Sequence, residues 1–553
     1  MTLIIQNGLI VDGSGKPGFY GDVIVEGDKI VDIIKPQSTQ SSQRNWGSAP
    51  DPKTLCDPLR SLRQKQDGKV TTIDATGCIV SPGFIDAHAH SDAYLILEPD
   101  APSKISQGIT TEINGQCGGS VAPRYGEARL SGDWATLLGS RLTWRSLAEY
   151  RAVLEAAKPA INTIQFVGHN TLRSSVVGYA GRAAMSDELK EMQRLLAESL
   201  DAGGWGLTTG LIYQPGKYST PEEVVALAKV AAERGAFYAT HMRSEGDRIL
   251  EAIDEVIDLV RATGIRAEIS HLKTSGKRNW HKIDAVLEKI ENAIGDGLLL
   301  GSDRYPFCAA GTDLDIVLPD WAQEGAAPAE MARLADPATR AKIVAEINAS
   351  DRDWSTVMIG GTWHESTKPL SGKSVADCLK PQKNNTQAIS PGELICRILE
   401  LDGCKTGAFF FGMSEENLDK ILSRPWIVPG SDASLRAPWG PLGADHPHPR
   451  AYGTMPEFYR RVRALGVSCE DAIARMTSVP ARRFGIAGRG VIEKGAFADL
   501  AIWKEDEFSS SATYVEPHKF SRGVKAVLVN GAVSYIEGKF TGDRAGRFLE
   551  RKK

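Results

Sequence analysis

The sequence predicts an α/β protein in which a (β/α)8 barrel of the TIM type is joined to a small β-sandwich formed by both chain termini. In the middle of the chain, short apolar segments alternate with helical stretches, which is typical of repeated βα units around a parallel sheet. Both ends instead carry short β-rich segments separated by glycine-containing turns. With 553 residues the chain is also too long for one small core, so we expect a large domain and at least one smaller domain.

Eight candidate strands make up the barrel repeat. They are residues 80–88, 110–115, 162–168, 204–210, 237–241, 266–271, 298–303 and 426–431. Between them, Thr220, Pro221 and Glu223 predict a helix with an N-cap, a proline at its first position and a capping glutamate. Residues 247–262 carry apolar side chains at the spacing of one buried helical stripe. Strand count alone does not prove closure, so a doubly wound open sheet is the alternative architecture.

Neither chain end has enough strands for a stable sheet alone, so we expect residues 3–34 and 490–538 to pair with each other. The predicted boundaries assign residues 1–80 and 485–553 to the sandwich and residues 81–484 to the barrel. Residues 36–68 are rich in serine, glutamine, proline and basic residues, which is typical of a surface insertion. Residues 307–375 interrupt the barrel between its seventh and eighth strands, and we expect them to cap the barrel mouth.

Composition and charge disfavour several classes of partner. Hydrophobic residues make up 42% and charged residues 24% of the chain, and the formal net charge is -4. These values give no electrostatic reason to expect nucleic acid or an anionic membrane as a partner. We also expect no secretory signal and no segment with the roughly 18 apolar residues needed to span a bilayer. The eight cysteines are scattered without a CxxC pair, so we expect reduced thiols and a cytoplasmic location.

Residue types that bind metals fall at the ends of several predicted strands. In chain order they are His88 and His90 at the first strand, Cys117 after the second, His241 at the fifth, His271 at the sixth and Asp432 after the eighth. In a (β/α)8 barrel the carboxyl ends of all strands converge on one face, so residues far apart in sequence meet there. A lone strand-end histidine is more often structural than a ligand. The prediction of a metal site therefore rests on the placement of all six residues at strand ends.

The segments that hold these residues resemble the amidohydrolase superfamily. They are SPGFIDAHAH at 81–90, THMR at 240–243, SHLK at 270–273 and GSDA at 430–433. Within the superfamily the chain is most similar to the N-acyl-D-amino-acid deacylases, or D-aminoacylases. That narrower resemblance rests on NGQCG at 114–118, VGHNTLR at 167–173, GLTTGLIY at 206–213 and HPRAYGT at 448–454. The resemblance covers nearly the whole chain and implies a metal-dependent hydrolase of linear amides.

The resemblance also implies the metal ligands. Many relatives use a carbamylated lysine as a bridging ligand, whereas the deacylases have a cysteine there, so we expect Cys117 to bind the metal with His241 and His271. A thiolate and two neutral imidazoles suit a tetrahedral Zn²⁺ and leave its fourth position open, which is typical of a catalytic zinc. The alternative for Cys117 is a buried spectator thiol.

A second, weaker metal site is expected beside the first. His88 and His90 are two residues apart and project from the same side of an extended strand. With Cys117 and Asp432 they would form this low-affinity site, although a purely structural role for the histidine pair is the alternative. Asp432 is the expected catalytic residue, which takes a proton from the attacking, metal-bound water and then protonates the departing amine. A helix-capping aspartate is the alternative, but a neighbouring serine could cap instead.

Further residues are expected to bind the substrate. The resemblance implies Arg450, Lys273 and Tyr305 as the group that binds the substrate α-carboxylate. An arginine fork with a lysine and a phenol suits a carboxylate, because charge-assisted hydrogen bonds fix its orientation. Thr312, Arg243 and His169 are additional candidates for the lining of the pocket.

The predicted function is zinc-dependent hydrolysis of the linear amide of a small N-acyl-D-amino acid, giving a carboxylate and a free D-amino acid. The alternative within this class is another carboxylate-bearing amide, such as a dipeptide or an aryl amide of an amino acid. A cyclic amidase is less favoured because those enzymes resemble the lysine-bridged branch. A non-catalytic binding scaffold is also less favoured, since such relatives usually lose metal ligands. The sequence does not predict the acyl group, the amino-acid side chain or the oligomeric state.

Overall fold

The structure is a computed structural model that describes residues 2–35, 70–130, 134–380 and 389–551. The insertion expected at 36–68 lies outside the described residues, as does Cys56. Among the helices of these four ranges, none combines the length and the apolar content that crossing a bilayer requires.

Eight parallel strands form a closed barrel. They are β1 (Phe84–Asp86), β2 (Ile109–Asn114), β3 (Asn162–Gln165 and Val167–Gly168), β4 (Gly206–Gly210), β5 (Phe237–His241), β6 (Arg266–Ile269), β7 (Leu300–Arg304) and β8 (Ile427–Pro429). Each strand pairs in parallel with the next one in the chain. The barrel closes between β8 and β1, where the amide of Ala87 donates to the carbonyl of Pro429 at 3.1 Å. This closure confirms the barrel and excludes the open sheet.

Helices surround the barrel or connect its strands. They are Tyr94–Leu97, Pro102–Ile105, Trp134–Leu138, Leu147–Ala157, His169–Val176, Ser186–Asp201, Pro221–Glu233, Ile249–Thr263, Ile283–Gly295, Glu415–Leu422, Arg450–Ala464, Cys469–Met476 and Ser478–Phe484. The hydroxyl of Thr220 accepts from the amide of Glu223 at the predicted N-cap. The predicted capping glutamate is wrong, because the Glu223 carboxylate turns inward and pairs with Arg173 and His169.

Both chain ends contribute to one nine-stranded sheet. Its strands are Thr2–Ile10, Phe19–Glu26, Lys29–Ile34, Val70–Asp74, Ile79–Pro82, Leu500–Trp503, Val524–Val529, Ala532–Ile536 and Lys539–Phe540. Ile79–Pro82 joins the two halves, since it pairs in parallel with Thr2–Ile10 and antiparallel with Leu500–Trp503. Apolar side chains from both halves share one core, so neither half buries its inner face without the other.

The segment between β7 and β8 forms a small unit of its own. It contains an antiparallel sheet of Ala310–Asp313, Gly407–Phe410 and Val357–Ile359, and the helices Asp320–Gln323, Ala326–Ala335, Pro337–Ala349, Val375–Cys378 and Pro391–Asp402. Its apolar cluster runs from Leu314 to Ala408, past the expected end at residue 375. We call this unit the cap, because several of its residues line the cavity at the barrel mouth.

Candidate metal centre

Two groups of potential ligands lie at the carboxyl end of the barrel. One consists of His88, Cys117, His271 and Asp432, and the other of His241, Glu245 and His271. Within each group the donor atoms all lie within 4.8 Å of one another. Because His271 belongs to both groups, the two form one continuous centre. The structure thus brings together residues that follow or end strands β1, β2, β5, β6 and β8.

The Cys117 sulfur lies between two imidazoles. Its Sγ is 3.4 Å from Nε2 of His88 and 3.3 Å from Nε2 of His271. Burial alone would raise the pKa of the thiol, but the charges of His88 and His271 hold that pKa well below its usual range. Cys117 therefore has the thiolate character that a zinc ligand needs.

The other face of His271 fixes the orientation of its ring. Its Nδ1 lies 3.0 Å from the carboxylate of Glu245 and 2.7 Å from Nζ of Lys273. Glu245 also pairs with Lys273 at 2.5 Å. Partners of this kind on one ring nitrogen direct the other nitrogen towards a metal. Here they direct Nε2 of His271 towards Cys117.

His241 has the surroundings expected of a metal ligand. Both of its ring nitrogens are buried, and neither makes a hydrogen bond to a described residue. Its Nε2 lies 3.6 Å from an oxygen of Glu245, and its ring packs against the rings of His271 and Tyr213. A buried imidazole without a hydrogen bond is costly, and coordination to a cation satisfies it. A thiolate close to a buried imidazole whose nitrogens make no hydrogen bond fits Zn²⁺.

His88 and His90 occupy different environments. Nδ1 of His88 lies 3.2 Å from Asp303, which leaves Nε2 facing Cys117 and, at 3.4 Å, Asp432. His90 is 25% exposed at its side chain and lies 3.0 Å from the same Asp432 oxygen. His90 is in neither group of converging donors. Of the predicted weak site, the structure therefore brings His88, Cys117 and Asp432 together and leaves His90 adjacent through Asp432.

Asp432 lies at the centre of the cationic part of the site. Its Oδ2 accepts from Nη1 of Arg450 at 2.7 Å. Burial would raise the pKa of Asp432, yet Arg450 and His271 hold that pKa well below its usual range. The carboxylate is therefore ionised.

Three of the candidate site residues have an unusual backbone conformation. Cys117, His271 and Asp432 have φ angles of 53°, 36° and 50°. Residues other than glycine rarely adopt this left-handed region, and those that do cluster at functional sites. Glycines permit the close packing around them: a Cβ on Gly118 would lie 2.6 Å from the amide nitrogen of Gly210. Nothing in the residue types themselves predicts this strain.

A buried ionic network holds the backbone on both sides of Asp432. Nζ of Lys104 donates to Asp86 at 2.8 Å, to the hydroxyl of Ser431 at 3.0 Å and to the carbonyl of Ala433 at 2.9 Å. Asp86 in turn accepts from the amide of Ser431 at 2.7 Å. The side chains of Lys104 and Asp86 are fully buried. The two neighbours of Asp432 are thus anchored to one ion pair beneath the site.

Sequence reasoning missed Lys104, Asp86, Glu245 and Asp303. Glu245 carried a usable signal, since it follows His241 by four residues in the loop after β5. Asp303 carried another, because the Gly-Ser-Asp at 301–303 repeats the Gly-Ser-Asp at 430–432. Both carboxylates orient histidines of the centre.

Four of the predicted substrate-binding residues line one cavity together with the candidate ligands. The cavity has a volume of about 800 Å³ and is lined by Lys273, Tyr305, Thr312 and Arg450. The guanidinium of Arg450 lies 4.6 Å from the centre of the Tyr305 ring. The Tyr305 hydroxyl is buried and makes no hydrogen bond to a described residue. Two cations and a free phenol thus face the same space.

Two predicted pocket residues lie elsewhere. The guanidinium of Arg243 pairs with Glu255 at 2.9 Å, on the following helix, and does not line this cavity. His169 is fully buried, and its Nε2 lies 2.8 Å from Glu223. Neither side chain is part of the lining of this cavity, because in each case a helix outside the barrel supplies a carboxylate that pairs with it. The phenol of Tyr213, which sequence reasoning did not single out, lines the cavity instead.

Comparison with known proteins extends this description. The profile of the Amidohydrolase family matches residues 71–367 and 402–535. The N-acyl-D-glutamate deacylase of Alcaligenes xylosoxydans xylosoxydans is 31% identical over 556 residues, which cover 100% of this chain and 97% of that protein.

Solved structures give the same result. The crystal structure of a D-aminoacylase superposes with a TM-score of 0.78 at 30% identity, and 99% of both chains is covered. The N-acyl-D-glutamate deacylase of Bordetella bronchiseptica, in complex with zinc and a phosphonate that mimics the tetrahedral intermediate, gives a TM-score of 0.77 at 31% identity, again over 99% of both chains. The family match and these full-length relatives show that the chain belongs to the amidohydrolase family.

Proposed function

We propose that this protein is a zinc-dependent deacylase that hydrolyses the linear amide bond of N-acyl-D-amino acids to a carboxylate and a free D-amino acid. The observation that carries the proposal is the convergence of a thiolate, imidazoles and an ionised aspartate beside a cavity that also contains Arg450 and Lys273. The relatives named as deacylases of D-amino acids support the same reaction.

We assign the tight zinc site to Cys117, His241 and His271. The Cys117–His271 contact and the unsatisfied nitrogens of His241 support this assignment. A weaker second site would use His88 and His90 with Cys117 and Asp432. Zinc bound at the centre would act as a Lewis acid that polarises the amide carbonyl and acidifies water.

Asp432 is the proposed general base and acid. Its carboxylate is ionised and held by Arg450, and the Lys104 network anchors the neighbouring backbone, so the carboxylate is positioned to take a proton from the attacking water. The same oxygen then gives the proton to the departing nitrogen of the amide. Protonation makes that nitrogen an amine, which leaves as the amino group of the free amino acid.

Arg450, Lys273 and Tyr305 are the proposed binding group for the substrate α-carboxylate. Nη1 of Arg450 donates to the carboxylate of Asp432, and Nη2 contacts the carbonyl of Gly311 at 3.2 Å. A carboxylate that accepts from Arg450 and from the free hydroxyl of Tyr305 would place its Cα beside Asp432. Thr312, whose hydroxyl lies 3.5 Å from that of Tyr213, adds a polar group to the same wall.

A turnover screen tests the proposal. The zinc-loaded protein is incubated with N-acetyl amino acids in both enantiomers, with and without chelator, and release of the free amino acid is measured. We expect turnover of D enantiomers that chelator abolishes and added Zn²⁺ restores. Turnover of dipeptides or aryl amides but not of N-acetyl-D-amino acids would contradict the proposed substrate class. Full activity in the presence of a chelator would contradict the role of the metal.

We also propose a cytoplasmic location, as the cysteine pattern predicts. The seven cysteines in the described part of the chain are free thiols, which supports this proposal.

A further inference from the structure

The cavity at the metal centre continues beneath the cap. Tyr213 contacts His241 through its ring and Thr312 through its hydroxyl. Thr312 belongs to the cap strand Ala310–Asp313, and the chain turns directly after this strand into the segment Leu314–Val317. Asp315, in that turn, lines the same cavity, as does Glu330 of the helix Ala326–Ala335. This part of the cavity wall, which we call the acidic wall, therefore carries two carboxyl groups.

Neither carboxyl group forms an ion pair within 4 Å in the described part of the chain, although the charge of Arg333 acts to lower the pKa of Glu330. Glu330 is 3% exposed, and its Oε2 makes no hydrogen bond to a described residue. The carboxyl groups of Asp315 and Glu330 contact each other, and Glu330 also contacts the thiol of Cys404. Arg333, one turn further along the helix, donates to the carbonyls of Ala322 and Glu324 instead.

Burial beside a second carboxyl group disfavours ionisation. Burial and the neighbouring Glu330 raise the pKa of Asp315 to about 8, and burial raises the pKa of Glu330 to about 7. Two such groups are stable together when they share a proton or face a cation. Neither of them belongs to a cluster of three or more potential metal ligands among the described residues. An organic cation is therefore the ligand that this wall fits best.

We propose that the acidic wall formed by Asp315 and Glu330 binds the cationic side chain of the substrate, which is an ammonium or guanidinium group on the N-acyl-D-amino acid. This inference rests on the proposed function, whose carboxylate-binding residue Arg450 contacts Gly311. Gly311 precedes Asp315 by four residues on the same wall. A substrate held at its α-carboxylate by Arg450 would therefore lie in the same cavity as both carboxyl groups. A guanidinium would bind a carboxylate there through two parallel hydrogen bonds.

The test compares two substrates that differ in charge and hardly in shape. The zinc-loaded protein is assayed with N-acetyl-D-arginine and with N-acetyl-D-citrulline, in which a neutral urea replaces the guanidinium. We expect kcat/KM to be at least about tenfold higher for the arginine derivative, because a charge-assisted hydrogen bond is about twice as strong as a neutral one. N-Acetyl-D-glutamate should be the poorest of the three substrates, since its carboxylate meets the acidic wall.

Two variants test whether Asp315 and Glu330 cause the preference for the arginine derivative. In Asp315→Asn/Glu330→Gln we expect the arginine-to-citrulline ratio to fall to within about twofold of one. Glu330→Gln alone should lower the ratio in the same direction, which keeps the test open if the double variant folds poorly. Asp320→Asn is the matched control: its carboxylate belongs to the cap, is 93% exposed and does not line the cavity. That control should keep the wild-type ratio.

The outcomes separate this inference from the proposed function. Hydrolysis of both substrates at equal kcat/KM, or a ratio that survives in the double variant, overturns the inference and leaves the deacylase proposal standing. Hydrolysis of neither substrate counts against the deacylase proposal. In that case, the binding of D-arginine and of D-citrulline to the zinc-loaded protein is measured by calorimetry, which tests the inference without relying on turnover. At least tenfold tighter binding of D-arginine that is lost in the double variant supports it, and equal binding refutes it.

Discussion

Replacing Lys104 by methionine tests how the strained backbone at Asp432 is held. The substitution removes the cation that pairs with two fully buried carboxyl groups, Asp86 at 2.8 Å and Glu112 at 3.5 Å. Breaking a buried ion pair in this way costs about 3–5 kcal/mol. At roughly 1.5 °C per kcal/mol, a value below that of smaller domains, the melting temperature should fall by about 5–7 °C. Because Ser431 and Ala433 lose an anchor, Asp432 should shift, and kcat should fall about 100-fold with little change in KM.

Two further variants distinguish the loss of protein stability from the displacement of Asp432. Lys104→Met/Asp86→Asn also neutralises the nearer carboxyl group and should recover part of the melting temperature, while Glu112 stays buried without its cation. The kcat value should stay low because the anchor of Ala433 is still missing. Lys289→Met is the matched control, since Lys289 pairs with Asp254 at 2.7 Å on the surface, and it should cost less than about 1 kcal/mol. Differential scanning calorimetry and steady-state kinetics on the zinc-loaded protein measure both effects. A melting temperature of Lys104→Met that matches the Lys289→Met control, or a kcat within threefold of the wild type, would refute the reasoning.

Other substitutions have distinct expected outcomes. Cys117→Ala and Asp432→Ala should both lose activity with folding retained, but only Cys117→Ala should lower the tightly bound zinc measured by atomic absorption; near wild-type turnover in either variant removes its assigned role. Arg450→Ala should raise KM for carboxylate-bearing substrates by about tenfold or more, whereas an unchanged KM excludes it as the carboxylate anchor. His448 should make stability depend on pH. Its Nδ1 accepts from the amide of Arg450 and its Nε2 contacts the carbonyl of Ala309, so the folded protein holds the neutral ring. Burial, together with the charge of Arg450, keeps the pKa of His448 well below its usual value near 6.5. The unfolded chain therefore binds the extra proton first as pH falls below about 6.5, and stability should decrease by up to about 1.4 kcal/mol per pH unit. His448→Gln should flatten this part of the profile of melting temperature against pH, and an identical profile would contradict the assignment.

The barrel could be predicted from the sequence because its strands are apolar and evenly spaced. Observed and predicted strands agree to within a few residues for most of the repeat; for example, Phe237–His241 coincides with its prediction. The exception is the predicted strand at 80–88, which the structure divides between the terminal sheet and β1. The chain passes from one sheet to the other at Pro82 and Gly83, and apolar content alone does not reveal that change of partner.

The candidate site was predictable in its ligand types and less so in its supporting contacts. His241 and His271 could be found because the strands of a barrel end on one face. This holds whatever direction the two side chains take. Arg243 and His169 could not be placed correctly, since their direction depends on Glu255 and Glu223 of neighbouring helices. Charge pairs between residues distant in sequence, such as Lys104 with the segment around Asp432, leave no periodic signal.

The short strand Ile79–Pro82 has a consequence for how the chain folds as it is synthesised. Its antiparallel partner, Leu500–Trp503, follows about 420 residues later. At ordinary translation rates, roughly 20–80 s pass before that partner leaves the ribosome. During this interval the amino-terminal strands expose an unpaired edge and an open apolar face. The terminal sheet therefore cannot be completed until the whole barrel sequence has been synthesised, and its unpaired edge is open to misassociation during that time.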